Sequence, residues 1–233
     1  MSTNKTEEPG LEFIESPEEL ANQLDKAEDF FRKNNSTLLT VGGVILAAII
    51  GFVGYRFYMD GKEKDAQSAL YSAVYDYESD SLALALSGKG GNEGLLSISE
   101  NYGGTDAANL ASFYAGVALL KQGKYDEAID KLKSFSSSDL LVQGRALSLI
   151  GDAYMEKNDV NSAIDFYKKA SEYESNQFFT PGYLMKLGVA YESAKKYKEA
   201  ATAYSKIINE FPMASEVMNA KKYLGVVEGQ VGE

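Results

Sequence analysis

The chain has no cysteine, no histidine and only 4 prolines in 233 residues. The first two absences exclude cysteine nucleophiles, histidine general bases, Ser-His-Asp triads and His/Cys zinc sites. A lipid anchor of the lipobox type is excluded as well, because it needs a cysteine to carry the lipid. Scarce proline together with 45% hydrophobic residues fits a mostly helical, ordered protein. Positive charge is also in deficit: 23 Lys and Arg stand against 34 Asp and Glu, for a net charge of −11. Phosphate backbones are bound by clustered Lys and Arg, so nucleic acid is not expected as a partner. An anionic membrane surface would repel this chain unless something tethers it there.

The acidic balance holds at both ends. Residues 1–33 carry nine acids and four bases, and residues 60–233 carry 25 acids and 18 bases. Residues 1–15 mix Glu7, Glu8, Glu12 and Glu15 with Pro9 and Gly10, too few apolar groups to offset ordering entropy, and are expected to be disordered. Ser16-Pro17-Glu18-Glu19 reads as a helix start: Ser16 can cap, Pro17 suits the first helical position and Glu19 completes a capping box. Leu20, Leu24, Ala27 and Phe31 follow at helical spacing. Residues 16–33 are therefore expected as an amphipathic helix that lies at a membrane surface, packs on a partner or simply stands exposed.

From Leu38 to Tyr55 there are 18 residues without a charge. At about 1.5 Å per residue this run nearly matches a hydrocarbon core about 30 Å thick. Tyr55, Arg56, Phe57 and Tyr58 form the aromatic and basic belt expected where a span leaves the bilayer, so residues 38–58 are expected to cross a membrane. A cleaved signal peptide fits poorly: the run is long, begins far from the terminus and lacks an Ala-x-Ala site. Orientation does not follow from charge, because Lys26, Arg32 and Lys33 before the run balance Arg56, Lys62 and Lys64 after it. Ala66, Leu70, Ala73, Val74 and Tyr77 predict a helix over about 63–79. The glycine-rich run Ser87 to Gly94 lacks the Gly-Lys-Ser/Thr ending of a phosphate loop and reads as a flexible connector; residues 63–108 are taken together as a helical connector. Leu95, Leu96 and Ile98 predict a short helix that Tyr102-Gly103-Gly104 ends.

Between Asn109 and Pro212 one pattern is written three times. With Gly116, Gly151 and Gly188 aligned, Leu119, Tyr154 and Tyr191 fall three residues later, Ala128, Ala163 and Ala200 twelve later, and Leu132, Tyr167 and Tyr204 sixteen later. The copies are 35 and 37 residues apart. Period and residue classes are similar to the two-helix tetratricopeptide unit, and the third copy, closed by Pro212, fits best. The expected fold is thus all-α: one N-terminal membrane helix, then an α-solenoid of hairpins over about 109–142, 144–177 and 181–212. A last helix over about 214–228 carries Leu224-Gly225 and should cap the open end. In each hairpin the glycine and the alanine are the close-contact points, so leucine at Gly151 is expected to force the second hairpin open.

No spacing of carboxylates argues for catalysis, and Glu127, Asp130, Glu192 and Glu199 read as solvated helix faces. No enzymatic activity, cofactor or small-molecule substrate is expected. Stacked hairpins instead offer a groove lined by the first helix of each pair. Projection of helical periodicity places Tyr114, Val117, Arg145, Asp152, Met155, Met185, Lys186 and Val189 on it, a mixture suited to an extended or helical peptide. The paired asparagine and lysine of carboxylate-gripping grooves are not matched by Val117, Asp152 and Val189.

Over residues 16–228 the order of features resembles bacterial membrane-anchored tetratricopeptide proteins related to the ancillary factor of the Sec translocon. The features that carry the likeness are the acidic tail, the single span, the Ala66-Gln67-Ser68-Ala69-Leu70 helix, the glycine-rich segment, and Gly151-Asp152-Ala153-Tyr154 with its equivalents. That resemblance implies a cytoplasmic N-terminus, an inner-membrane span and periplasmic repeats. It also implies a non-enzymatic scaffold whose partners are translocon subunits and periplasmic chaperones or clients; a scaffold of another envelope complex, in division or outer-membrane assembly, is the alternative.

Overall fold

The computed structural model describes residues 17–231, so the expected acidic tail and the Ser16 cap lie outside the described residues. Within them, eleven helices and one two-stranded hairpin succeed one another. The chain divides into two compact units, Met1–Tyr58 and Met59–Glu233.

The first unit holds α1 (Pro17–Lys33) and the start of α2 (Asn35–Glu78). From Leu38 to Tyr58 the apolar side chains of α2 are exposed, and a Cβ added at Gly42, Gly43, Gly51 or Gly54 would meet nothing within 4 Å. Among the described residues, α2 is the one helix long and apolar enough to cross a membrane, by length and composition. The sequence suggests two helices here, near 38–58 and 63–79, whereas α2 is uninterrupted. Met59-Asp60-Gly61-Lys62 contains no proline, and a single glycine costs a helix only about 1 kcal/mol.

In the second unit, the remainder of α2 buries Ala66, Leu70 and Ala73 in a cluster with Ala85, Leu86, Leu95, Ile98 and Ala111. These come from α3 (Leu82–Ser87), α4 (Leu95–Asn101) and α5 (Asp106–Lys121). Glu63 of α2 accepts from the free backbone N–H groups of Asp106 (2.8 Å) and Ala107 (3.4 Å), and Thr105 accepts from Ala108 N–H (3.1 Å), so the first turn of α5 is capped from two sides.

The glycine-rich stretch is an ordered hairpin rather than a flexible connector. Strands β1 (Gly88–Lys89) and β2 (Asn92–Glu93) pair antiparallel around Gly90 and Gly91, both at positive φ, as a two-residue turn that matches strand twist requires. A side chain at Gly88 or Gly94 would drive its Cβ into Asn92 O or Leu86 O, closer than any real contact. Glu93 then fixes α4 and its end: its carboxylate accepts from Ser97 (2.7 Å), Asn101 (2.9 Å) and Tyr102 (2.9 Å).

Three hairpins then stack. They pair α5 with α6 (Tyr125–Ser134), α7 (Leu140–Glu156) with α8 (Val160–Glu172), and α9 (Thr180–Ser193) with α10 (Tyr197–Glu210); α11 (Val217–Val231) packs on α10. Every crossing uses the repeated small residues. Ala128, Ala163 and Ala200 are fully buried, and a Cβ at Gly116, Gly151 or Gly188 would overlap Leu132 Cγ, the Tyr167 ring or the Tyr204 ring. The residue sixteen positions on is therefore the one that covers each glycine.

The hairpin turns are also built alike. Gly123, Asn158 and Lys195, each seven residues beyond its repeat glycine, are left-handed with φ of 75°, 59° and 57°. The next residue then donates back to the helix, Lys124 to Leu119 O (3.0 Å), Asp159 to Tyr154 O (2.9 Å) and Lys196 to Tyr191 O (2.8 Å). These six-to-one closures satisfy carbonyls that the helix end leaves free.

Candidate protein-binding groove

The first helices of the hairpins, α5, α7 and α9, carry the side chains with which the molecule could meet a partner. On α7 a polar stripe runs Ser148, Asp152, Glu156, one residue per helical turn. Lys186 of α9 reaches across to it, donating to both Asp152 carboxylate oxygens (2.8 and 2.7 Å) and to Ser148 Oγ (3.2 Å). The Tyr167 phenol of α8 donates to Asp152 Oδ1 (2.7 Å). Burial first, and the Asp152 charge second, hold that phenol well above its ordinary range, so it stays a donor. Asp152 is thus held between two helices, and its negative charge is matched by Lys186.

Beside this pair is a concavity of about 370 Å³ lined by Leu120, Tyr125, Asp152, Met155, Glu156 and Tyr167. Its lining is mixed: Leu120 and Met155 are apolar, Tyr125 and Tyr167 contribute rings and hydroxyls, and Asp152 and Glu156 make it anionic. Glu156 accepts from the Tyr125 hydroxyl (3.3 Å), while Asp126 and Lys157 form an ion pair nearby on the same side. Toward the other end of α7 and α9, burial pushes the Tyr183 phenol up, with the Arg145 guanidinium opposing it, and the Tyr183 ring lies against Gly144.

The eight residues that periodicity puts on the groove fall into two sets. Asp152 and Lys186 are brought together, Met155 lines the concavity beside them, and Arg145 and Val189 are exposed on α7 and α9. Met185 is half-buried against the α9–α10 core. Val117 is 7% exposed and packs with Ile129, Leu132, Ala146 and Ile150 in the interior between the first two hairpins. Tyr114 is half-buried with its ring edge-on to Tyr77 of α2 at 5.1 Å. On α5 the presence of α2 beside the first hairpin turns Tyr114 into a packing residue, which periodicity within a single helix does not reveal. Glu156 and Tyr167 line the concavity as well, while Ser148, which is buried, accepts from Lys186; the spacing of Asp152 and Glu156 is the signal that would have found Glu156.

Family models of the tetratricopeptide repeat match residues 100–138, 115–177 and 183–212. The chain therefore contains tetratricopeptide repeats within an all-α solenoid. Units of this kind are in general non-enzymatic and bind other proteins through their stacked helices. A comparison with curated proteins returns no match.

Proposed function

We propose that this protein is a non-enzymatic scaffold, anchored by the apolar part of α2 in a bacterial inner membrane, that binds protein segments along α7 and α9. The observation that carries the reading is the Lys186–Asp152 pair beside a concavity of mixed lining: a charged, orienting clasp next to the Leu120, Met155 and tyrosine side chains is a combination that seats a peptide and fixes its direction. Membrane anchoring is supported by the exposed apolar run of α2, which needs a bilayer to cover it. The resemblance to membrane-anchored tetratricopeptide proteins of the Sec system supports a cytoplasmic N-terminus, periplasmic repeats and a role in secretion or envelope biogenesis, with translocon subunits and periplasmic chaperones or clients as partners.

A photoreactive residue at Arg145 or Met185, with the captured protein identified by mass spectrometry, tests the partner class. Capture of translocon subunits or secretion chaperones is expected; capture confined to division or outer-membrane assembly proteins would replace this reading with a different envelope scaffold. An alkaline phosphatase fused after Glu233 tests topology. It should be active, and an inactive fusion would reverse the orientation.

A further inference from the structure

Helix α1 exposes an apolar stripe that no described residue covers. Leu20 is 47% exposed, Leu24 62% and Phe31 61%, and with Ala27 they recur every three or four residues along one face. Asn22, Asp25, Lys26 and Asp29 occupy the other faces. A single residue, Asn34, separates α1 from α2, and it keeps the backbone bonded through the junction: its N–H donates to Phe30 O (3.0 Å), its side-chain amide donates to the same oxygen (2.9 Å), and its carbonyl accepts from Leu38 N–H (2.8 Å). The last residue of the stripe, Phe31, is thus tied about two helical turns from Leu38, the first residue of the uncharged run. At the junction is a concavity of about 480 Å³ with Phe31, Leu38 and Leu39 as apolar floor and Glu28, Arg32 and Asn35 as polar rim. Apolar floor, cation, anion and amide in one hollow match the parts of a zwitterionic phospholipid: acyl chain, phosphate and ammonium.

We propose that α1 lies along the bilayer surface at the boundary of headgroups and acyl chains, with Leu20, Leu24 and Phe31 among the chains and Arg32 and Asn35 at the phosphate level of a zwitterionic lipid. This rests on the membrane-anchored reading above, and the test separates the two. The sequence has no tryptophan, so a single introduced one is the only indole in the full chain. Phe31→Trp, Asn22→Trp and Phe52→Trp variants are reconstituted in phosphatidylcholine vesicles with and without acyl-chain bromine, which quenches indole on contact. Phe52→Trp reports the span. Phe31→Trp should emit at shorter wavelength and lose emission several-fold on bromination, Asn22→Trp should stay water-like, and adding Leu24→Asp to Phe31→Trp should restore water-like emission. An unquenched Phe31→Trp beside a quenched Phe52→Trp overturns the placement of α1 alone. Failure of both to quench overturns the anchoring as well. A Phe31→Trp that is shielded from water but untouched by bromine means that a protein or a second copy covers the stripe, and overturns the proposal.

Discussion

The ring of Tyr167 lies so close over Gly151 that a Cβ built there would sit 2.6 Å from both its Cδ1 and Cε1. The ring is wedged between α7 and α8 and cannot swing away without losing its bond to Asp152. Gly151→Ala should therefore cost about 1–3 kcal/mol through overpacking. Gly225, 37 residues beyond Gly188, is the informative control, since a Cβ there meets nothing within 4 Å. Gly225→Ala should stabilise α11 by about 0.5–1 kcal/mol from helix propensity alone. Denaturant midpoints of the two variants should move in opposite directions.

The hairpin turns give a second comparison. Lys195 occupies a left-handed position that Gly123 fills in the first hairpin. A left-handed conformation costs a residue with a Cβ about 1–2 kcal/mol, part of which glycine's greater freedom in the unfolded chain offsets. Lys195→Gly should raise stability by about 0.5–1 kcal/mol, and Gly123→Ala should lower it by about 1 kcal/mol. Thermal unfolding of each variant reads the sign directly.

The clasp in the groove makes two contributions that can be separated. Tyr167→Phe deletes a buried donor to a carboxylate but leaves Lys186 in place, so about 1 kcal/mol of stability should be lost. The Asp152–Lys186 pair is partly solvated, and a double-mutant cycle of Asp152→Asn and Lys186→Met should give a coupling of about 0.2–1 kcal/mol that shrinks as salt is raised. A coupling that ignores salt would place the pair in a drier setting than the structure gives it.

Acid should loosen the region around β2. Hydrogen bonds from Ser97, then Asn101 and Tyr102, hold the Glu93 carboxyl below its ordinary value of 4.5. A depressed folded-state pKa means the contribution is fully present above the unfolded value and fades as pH falls through 4.5 and on through the folded value. Unfolding measured across that interval should therefore show a shallower acid decline for Glu93→Gln than for the native chain. Equal slopes would mean that Glu93 takes no part in the acid response.

The solenoid was legible because its spacing rules are local. Glycine, alanine and the large residue sixteen positions on all lie within one hairpin, and the contact between two antiparallel helices is fixed by those few positions. What periodicity could not supply was anything set by a neighbour distant in sequence. Tyr114 faces Tyr77 because α2 returns against α5, and Val117 is enclosed by α6 and α7. The ordered hairpin at Gly88–Glu93 escaped for a related reason: its glycines look like slack in one dimension, while their purpose, letting backbone pass within touching distance of backbone, exists only in three. Glu156 was within reach, since it shares a helical face with Asp152.

Because the second and third hairpins use the same turn closure and the same glycine-under-tyrosine contact, they are interchangeable parts. Excising Val160 to Lys196 removes one period of 37 residues and joins α7 directly to α10, which seats Gly151 beneath Tyr204. Such a shortened chain should still fold, with α11 closing the stack as before. The length of the array is then a quantity that gene duplication or loss can change by whole units, lengthening or shortening the binding face without redesigning any joint.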